Sequence, residues 1–181
     1  MKSPTSLILL LGPSGTGKST LAAALSLSSN RLHIELDQWQ ADGVDIAGLR
    51  REWDEFYQGQ RAEALSRELT SRAAVGGYQG VILSLPSLVV LPIPLIEHAL
   101  RCGISTVILY GSGADCLAAF LRRPSTGERS LNANYWIACN ASAYMTHSRP
   151  EYIPYRIEVF RNGKHRAIEE LLSEILCPVV G

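Results

Sequence analysis

The densest chemistry in the chain lies near its start. Residues Gly12-Pro13-Ser14-Gly15-Thr16-Gly17-Lys18-Ser19 fit the spacing GxxxxGK[ST], directly after the apolar run 6–11 and before an Ala/Leu-rich stretch, residues 16–27. Glycines at 12, 15 and 17 allow a tight turn. Successive N–H groups and the positive end of the following helix then converge on a polyphosphate. Lys18 is expected to neutralise the β- and γ-phosphates and the Ser19 hydroxyl to ligate Mg2+, with Thr20 next on the helix. This motif predicts a nucleoside triphosphate site, with ATP and Mg2+ as its ligands.

The loop does not say what becomes of the γ-phosphate, so the ends of the other apolar segments matter next. Asp37 ends the second one (LHIEL-Asp37), where a carboxylate facing the loop is expected to take the proton of an attacking hydroxyl; the alternative reading is an Asp that simply caps the following turn or helix. Glu35 lies two residues back on the same face and reads as a solvated strand-end carboxylate or a support for Asp37, secondary to it. The third segment ends in Ser84, where many enzymes with such a loop carry an aspartate. The metal is therefore expected on Ser19, phosphates and water, with Asp37 as an outer partner through water. Trp39, Trp53, Phe56 and Tyr57 suit either a pocket with ring surface or a core stripe. Arg50, Arg51, Glu52 and Asp54 read as an ionic pocket or a solvated helix face. The histidines His33, His98, His147 and His165 receive no role. Cys102, Cys116, Cys139 and Cys177 lie far apart, with no CxxC pair and no histidine at ligand spacing, and read as reduced thiols.

These residues need a scaffold. Five short apolar segments, 6–11, 32–36, 80–85, 105–110 and 155–160, alternate with helical or turn-rich stretches, which predicts an α/β fold with a parallel sheet covered by helices. The first four are continuous apolar runs, as in strands buried on both faces; the fifth, YRIEVF, alternates and suits an edge. Helices are expected over 16–27, 49–74 (divided at Gly59), 114–122 and 164–176, the last ending before Pro178. Residues 122–129 (RRPSTGER) form a polar surface loop.

Composition bounds the rest. A chain of 181 residues, 46% apolar and 19% charged, is the size and balance of one globular domain. Lys plus Arg total 17 and Asp plus Glu total 17, so no net cationic field exists for a nucleic acid or an anionic membrane. The apolar start is too short for a signal peptide, and residues 81–100 are broken by Pro86, Pro92 and Pro94. A soluble, cytoplasmic protein is expected, as a monomer or homodimer.

On these residues the sequence resembles the small-molecule branch of the nucleoside-monophosphate-kinase-like P-loop proteins, which includes shikimate kinase, gluconate kinase and chloramphenicol phosphotransferase. The resemblance runs over residues 6–176. GPSGTGKST is similar to the phosphate loop of the whole group, and Asp37 looks like the aspartate those kinases set beside the acceptor hydroxyl. VILYGSGADCLAAFLRR-PSTGER resembles the fourth strand, short helix and arginine-bearing lid of gluconate kinase, and YRIEVFRNGKHRAIEELLSEI the last strand and helix of the group. The resemblance implies a single three-layer P-loop NTPase domain over 1–181. Its five-stranded parallel sheet would run in an order like 2-3-1-4-5, with a lid at about 122–130. It implies ATP-dependent phosphotransfer to a hydroxyl of a metabolite or antibiotic-like acceptor. Lys18 and Asp37 would be catalytic together with Arg123 and Arg129, Arg122 would flank the nucleotide, and Arg161 with Asn162 would border the base, a turn at Asn162-Gly163 being the other reading of that pair. The DGDxxH signature of gluconate kinase and the acid-binding arginines of shikimate kinase have no counterpart, so the acceptor stays open. A nucleoside or nucleotide kinase and an ATP-binding switch without an acceptor are the rival readings.

Overall fold

In this computed structural model, residues 6–36, 48–123 and 132–176 are described. Strands β1 (Ser6–Leu11), β2 (Arg31–Glu35), β3 (Gly80–Ser84), β4 (Ile104–Tyr110) and β5 (Arg156–Glu158) form one sheet in the order β2-β3-β1-β4-β5. Every pairing is parallel, and Leu10 of β1 stands opposite Ser84 on one side and Val107 on the other. The order matches the expected one.

Helices cover both faces, which is why β1 is apolar at every position over 7–11. Leu7, Leu9 and Leu11 point toward α2 (Arg50–Tyr57), α3 (Ala62–Val75) and α4 (Ile93–Arg101), packing with Phe56, Leu65, Leu69 and Leu95. Leu10 points the other way, toward Leu21 and Leu25 of α1 (Lys18–Ser29) and Leu171 of α7 (Ile168–Leu176). Helices α5 (Gly113–Leu121) and α6 (Ala133–His147) pack on each other beside the ends of β1 and β4 through Cys116, Phe120 and Trp136. No helix among the described residues is long and apolar enough to cross a membrane.

Two boundaries differ from the expected ones. The fifth apolar segment splits: only Arg156–Glu158 joins the main sheet, while β6 (Phe160–Arg161) and β7 (Lys164–His165) make a small antiparallel hairpin. Its turn is Asn162 (φ 53°) followed by Gly163 (φ 72°), the left-handed pair that a tight hairpin demands. The last helix accordingly starts at Ile168, because Lys164 and His165 are engaged in that hairpin. The 49–74 stretch divides as expected near Gly59, where Gln60 adopts φ 54°.

Candidate active site

The sheet reverses its order between β1 and β4, and the loop of residues 12–17 sits at that switch point on the carboxyl ends of the strands. Its shape depends on glycine. Gly12 (φ 140°) lies so close to the Leu109 carbonyl, and Gly15 (φ 101°) to the Cys116 carbonyl, that a Cβ at either would collide with backbone. Gly17 (φ 83°) takes the N-cap position of α1, where it offers no side chain, and the first turn carries no acidic residue. By contrast Ser112 caps α5 and Asn132 caps α6 with side-chain oxygens. A helix start without a side-chain cap or an acidic first turn suits an outside anion.

Lys18 folds back over the loop and its Nζ donates to the Gly12 carbonyl at 2.7 Å, with only 8% of the residue exposed. Thr16, almost fully buried, donates to the Pro13 carbonyl at 2.8 Å. Ser14 is held on both sides of its backbone. Its N–H donates to Asn140 Oδ1 at 2.7 Å, and its carbonyl accepts from the Trp136 indole at 2.9 Å. From the opposite flank the His165 ring donates to the Gly15 carbonyl at 3.0 Å, its own ring lying 4.4 Å from that of Phe160.

The Ser19 hydroxyl donates to Glu35 Oε1 at 2.7 Å. One pleat below, His33 Nε2 meets the Ser84 hydroxyl at 2.7 Å, and Ser84 is buried. Partial burial pulls the His33 ring below its usual value, against an opposing pull from the Glu35 charge, so a neutral ring is favoured there. Ser84 is therefore tied to a neighbour, and Glu35 is the acid that reaches Ser19. Cys116, under the loop, is pushed up to about 12, first by burial and then by the charge of Asp115, which leaves it a protonated core thiol. Beside the loop, a cavity of about 210 Å3 runs between α1 and α7, lined by Gly17, Thr20, Leu21, His165, Arg166 and Ile168.

The site residues expected from sequence divide into three groups. Gly12, Pro13, Ser14, Gly15, Thr16, Gly17, Lys18, Ser19 and Thr20 come together as the loop and the start of α1. Arg122 and Arg123 are exposed just past α5, the latter with its guanidinium 6.0 Å from the Phe120 ring centroid; Arg161 is paired with Glu170 at 2.6 Å in the groove beside the hairpin. Asp37, Trp39 and Arg129 lie outside the described residues. Of the two readings of the aromatic cluster, core packing fits Trp53 and Phe56, both buried, while Tyr57 is exposed and donates to the Val90 carbonyl. The Arg50–Asp54 and Arg51–Glu55 pairs form a solvated helix face. Asn140, Trp136 and His165 are the contributors that sequence reasoning missed as loop contacts; no local pattern marks residues that meet the loop from more than 120 positions away.

No family model matches the chain, and no curated protein matches its sequence. Solved structures do match. A gluconokinase from Sinorhizobium meliloti 1021 superposes with a TM-score of 0.54 at 19% identity, covering 97% of this chain and 91% of that one. The shikimate kinase from Bacteroides thetaiotaomicron gives 0.53 at 20% identity over 94% and 98%. That from Acinetobacter baumannii, solved with shikimate, gives 0.52 at 22% over 95% and 91%. The fold is that of the P-loop kinases. The likeness spans nearly the whole length of each chain, so the strand order, the loop at the switch point and the helices on both faces form one shared framework.

Proposed function

We propose that the chain is an ATP-dependent kinase that transfers a phosphoryl group to a hydroxyl of a small molecule. The observation that carries this reading is the uncapped start of α1. Its first turn without a side-chain cap, the folded-back Lys18 and the Ser19–Glu35 pair gather at a glycine loop whose shape suits a polyphosphate.

In this reading the β- and γ-phosphates displace Lys18 from the Gly12 carbonyl and take its charge. The donor set beside them suits Mg2+: a hydroxyl and a carboxylate within hydrogen-bond reach are hard oxygen ligands. Ser19 and Glu35 would hold the ion, directly or through water, and when bound it neutralises charge on the phosphate oxygens. The base and ribose would lie toward the cleft between α1 and α7, with His165 at its wall. An acceptor hydroxyl attacks the γ-phosphorus as the bond to the β-phosphate oxygen breaks. Asp37, the residue that follows Leu36 at the end of β2, receives the hydroxyl proton, and Lys18 screens the departing ADP. Arg122, Arg123 and Arg129 supply further cationic charge to the transferring group, and Arg161 lies toward the base.

The acceptor class is tested by ADP release from ATP and Mg2+ against hydroxylated metabolites, nucleosides, nucleotides and antibiotics, with Lys18→Ala as the blank. One acceptor that accelerates release and becomes phosphorylated supports the proposal, and a purine or pyrimidine acceptor would specify a nucleoside or nucleotide kinase. Asp37→Asn should then lower kcat far more than ATP affinity. Tight ATP binding with no acceptor effect would instead mark a nucleotide-controlled switch.

A further inference from the structure

On the α3/α4 side of the sheet lies a group of side chains with no part in phosphate chemistry. Glu63 stands in the first turn of α3, His98 in the last turn of α4, and Cys102 is the residue on which α4 ends. Their ligand atoms all lie within 4.8 Å of one another, and His98 Nε2 is 3.3 Å from Glu63 Oε1. The expectation that no histidine stands at ligand spacing to a cysteine is corrected here. His98 and Cys102 are one helical turn apart, and residues so spaced share a face; the Cys102 N–H still donates to the His98 carbonyl.

The backbones that carry the three groups are fixed to each other. The Ser66 hydroxyl, one turn after Glu63, donates to the Cys102 carbonyl at 2.8 Å, and Leu65, Leu69, Leu95 and Ala99 lie buried in the same core.

We propose that Glu63, His98 and Cys102 form a zinc site that staples α3 to α4. One sulfur, one imidazole nitrogen and one carboxylate oxygen make a borderline-soft donor set, which favours Zn2+ over Mg2+ or Ca2+. Two anionic ligands and one neutral ligand balance the charge of a divalent ion. With bonds of ~2.0–2.3 Å, tetrahedral zinc donors stand roughly 3.3–3.8 Å apart. Glu63 Oε1 and His98 Nε2 already stand at that spacing, 3.3 Å apart, and side-chain rotation brings the remaining ligand atoms from within 4.8 Å to the same span. Water fills the fourth position. As the zinc–sulfur bond forms, the Cys102 S–H bond breaks and its proton passes to solvent; His98 binds through Nε2 with its proton on Nδ1.

The site is remote from phosphotransfer. Cys102 precedes β4, whose first residue Ile104 pairs with Leu7, whereas the phosphate loop follows Leu11 at the other end of the strands. Strand rise alone separates the two by about 15 Å. The ion therefore acts on the packing of the helices that flank β3 and not on the reacting atoms.

The test uses the full chain stripped of metal and titrated with Co2+, then Zn2+. One Co2+ should bind with a near-ultraviolet thiolate-to-metal absorption, displaced by one equivalent of Zn2+, and Zn2+ should raise the wild-type Tm. Cys102→Ser should abolish the band and the Tm rise, while His98→Gln and Glu63→Gln, each removing a direct ligand, weaken Zn2+ by more than the roughly tenfold that loss of an outer partner costs. Circular dichroism of the metal-free variants checks that each is folded. Absence of the band in the wild type, or a band that persists in Cys102→Ser because another cysteine binds, overturns the proposal.

Discussion

His147 provides a quantitative test of how the α6 end packs. The residue is 1% exposed, and neither ring nitrogen has a hydrogen-bond partner among the described residues. Its ring meets that of Tyr152 edge-on at 5.5 Å, and its carbonyl accepts from Arg156 at 3.0 Å. Burial first, then the positive charges of Arg156 and Lys18, bring the ring from 6.5 down to about 4. The unfolded chain therefore binds a proton in a pH range where the folded chain does not. The contribution is fully present above pH 6.5 and is lost progressively as pH falls to about 4. At ~1.4 kcal/mol per pH unit, that gap amounts to about 3 kcal/mol. The assay is urea unfolding of the wild type and His147→Leu between pH 8 and pH 4. Comparing the two chains cancels the other titrating groups, so the difference in unfolding free energy should change by about 3 kcal/mol across the range, against the wild type at low pH. A difference that stays constant within about 1 kcal/mol would show that His147 titrates alike in both states, and would refute the packing argument.

The contacts of the phosphate loop carry further predictions. Asn140→Ala leaves the Ser14 N–H without its partner, which should cost about 1–3 kcal/mol and lower Tm by ~2–4 °C for each kcal/mol in a chain of this size. Asn140→Asp keeps an acceptor for Ser14 but sets a negative charge beside the polyphosphate. Calorimetry should therefore find weaker ATP binding than its stability predicts. Gly15→Ala places a Cβ against the Cys116 carbonyl at a positive φ, so stability should fall by more than about 1 kcal/mol and ATP affinity with it. Glu35→Gln retains an acceptor for Ser19 but removes its charge, so the Mg2+ needed for half-maximal rate should rise while ATP affinity without metal holds.

How far these features could be read from sequence depended on how local they are. The phosphate loop is contiguous, and its three glycines, Lys18 and Ser19 announce themselves by spacing alone. The apolar runs 7–11 of β1 and 81–83 of β3 are equally plain, because burial on both faces selects apolar residues without alternation. The edge of the sheet was harder. The alternation in YRIEVF continues through Phe160, but the chain leaves β4 after Glu158 and pairs Phe160 and Arg161 with Lys164 and His165 instead. A two-residue period does not say which partner a strand has. Asn140, Trp136 and His165 reach the loop through tertiary packing, which no single-sequence pattern encodes. Sequence position alone ranks Glu35 below Asp37, yet its hydrogen bond to Ser19 makes it part of the loop's surroundings. The Glu63, His98 and Cys102 group was hidden for a similar reason: two members share a helix end, and the third arrives from another helix.

The bond from the Trp136 indole to the Ser14 carbonyl also makes the molecule its own optical gauge. Indole emission shifts in colour and intensity with the polarity and hydrogen bonding around the ring, and this ring rests on the loop that would close around a polyphosphate. Trp53 is buried in the core on the far face of the sheet and supplies a steady background. In a Trp39→Phe chain, the emission of Trp136 would follow loop occupancy in real time, without a label and without turnover.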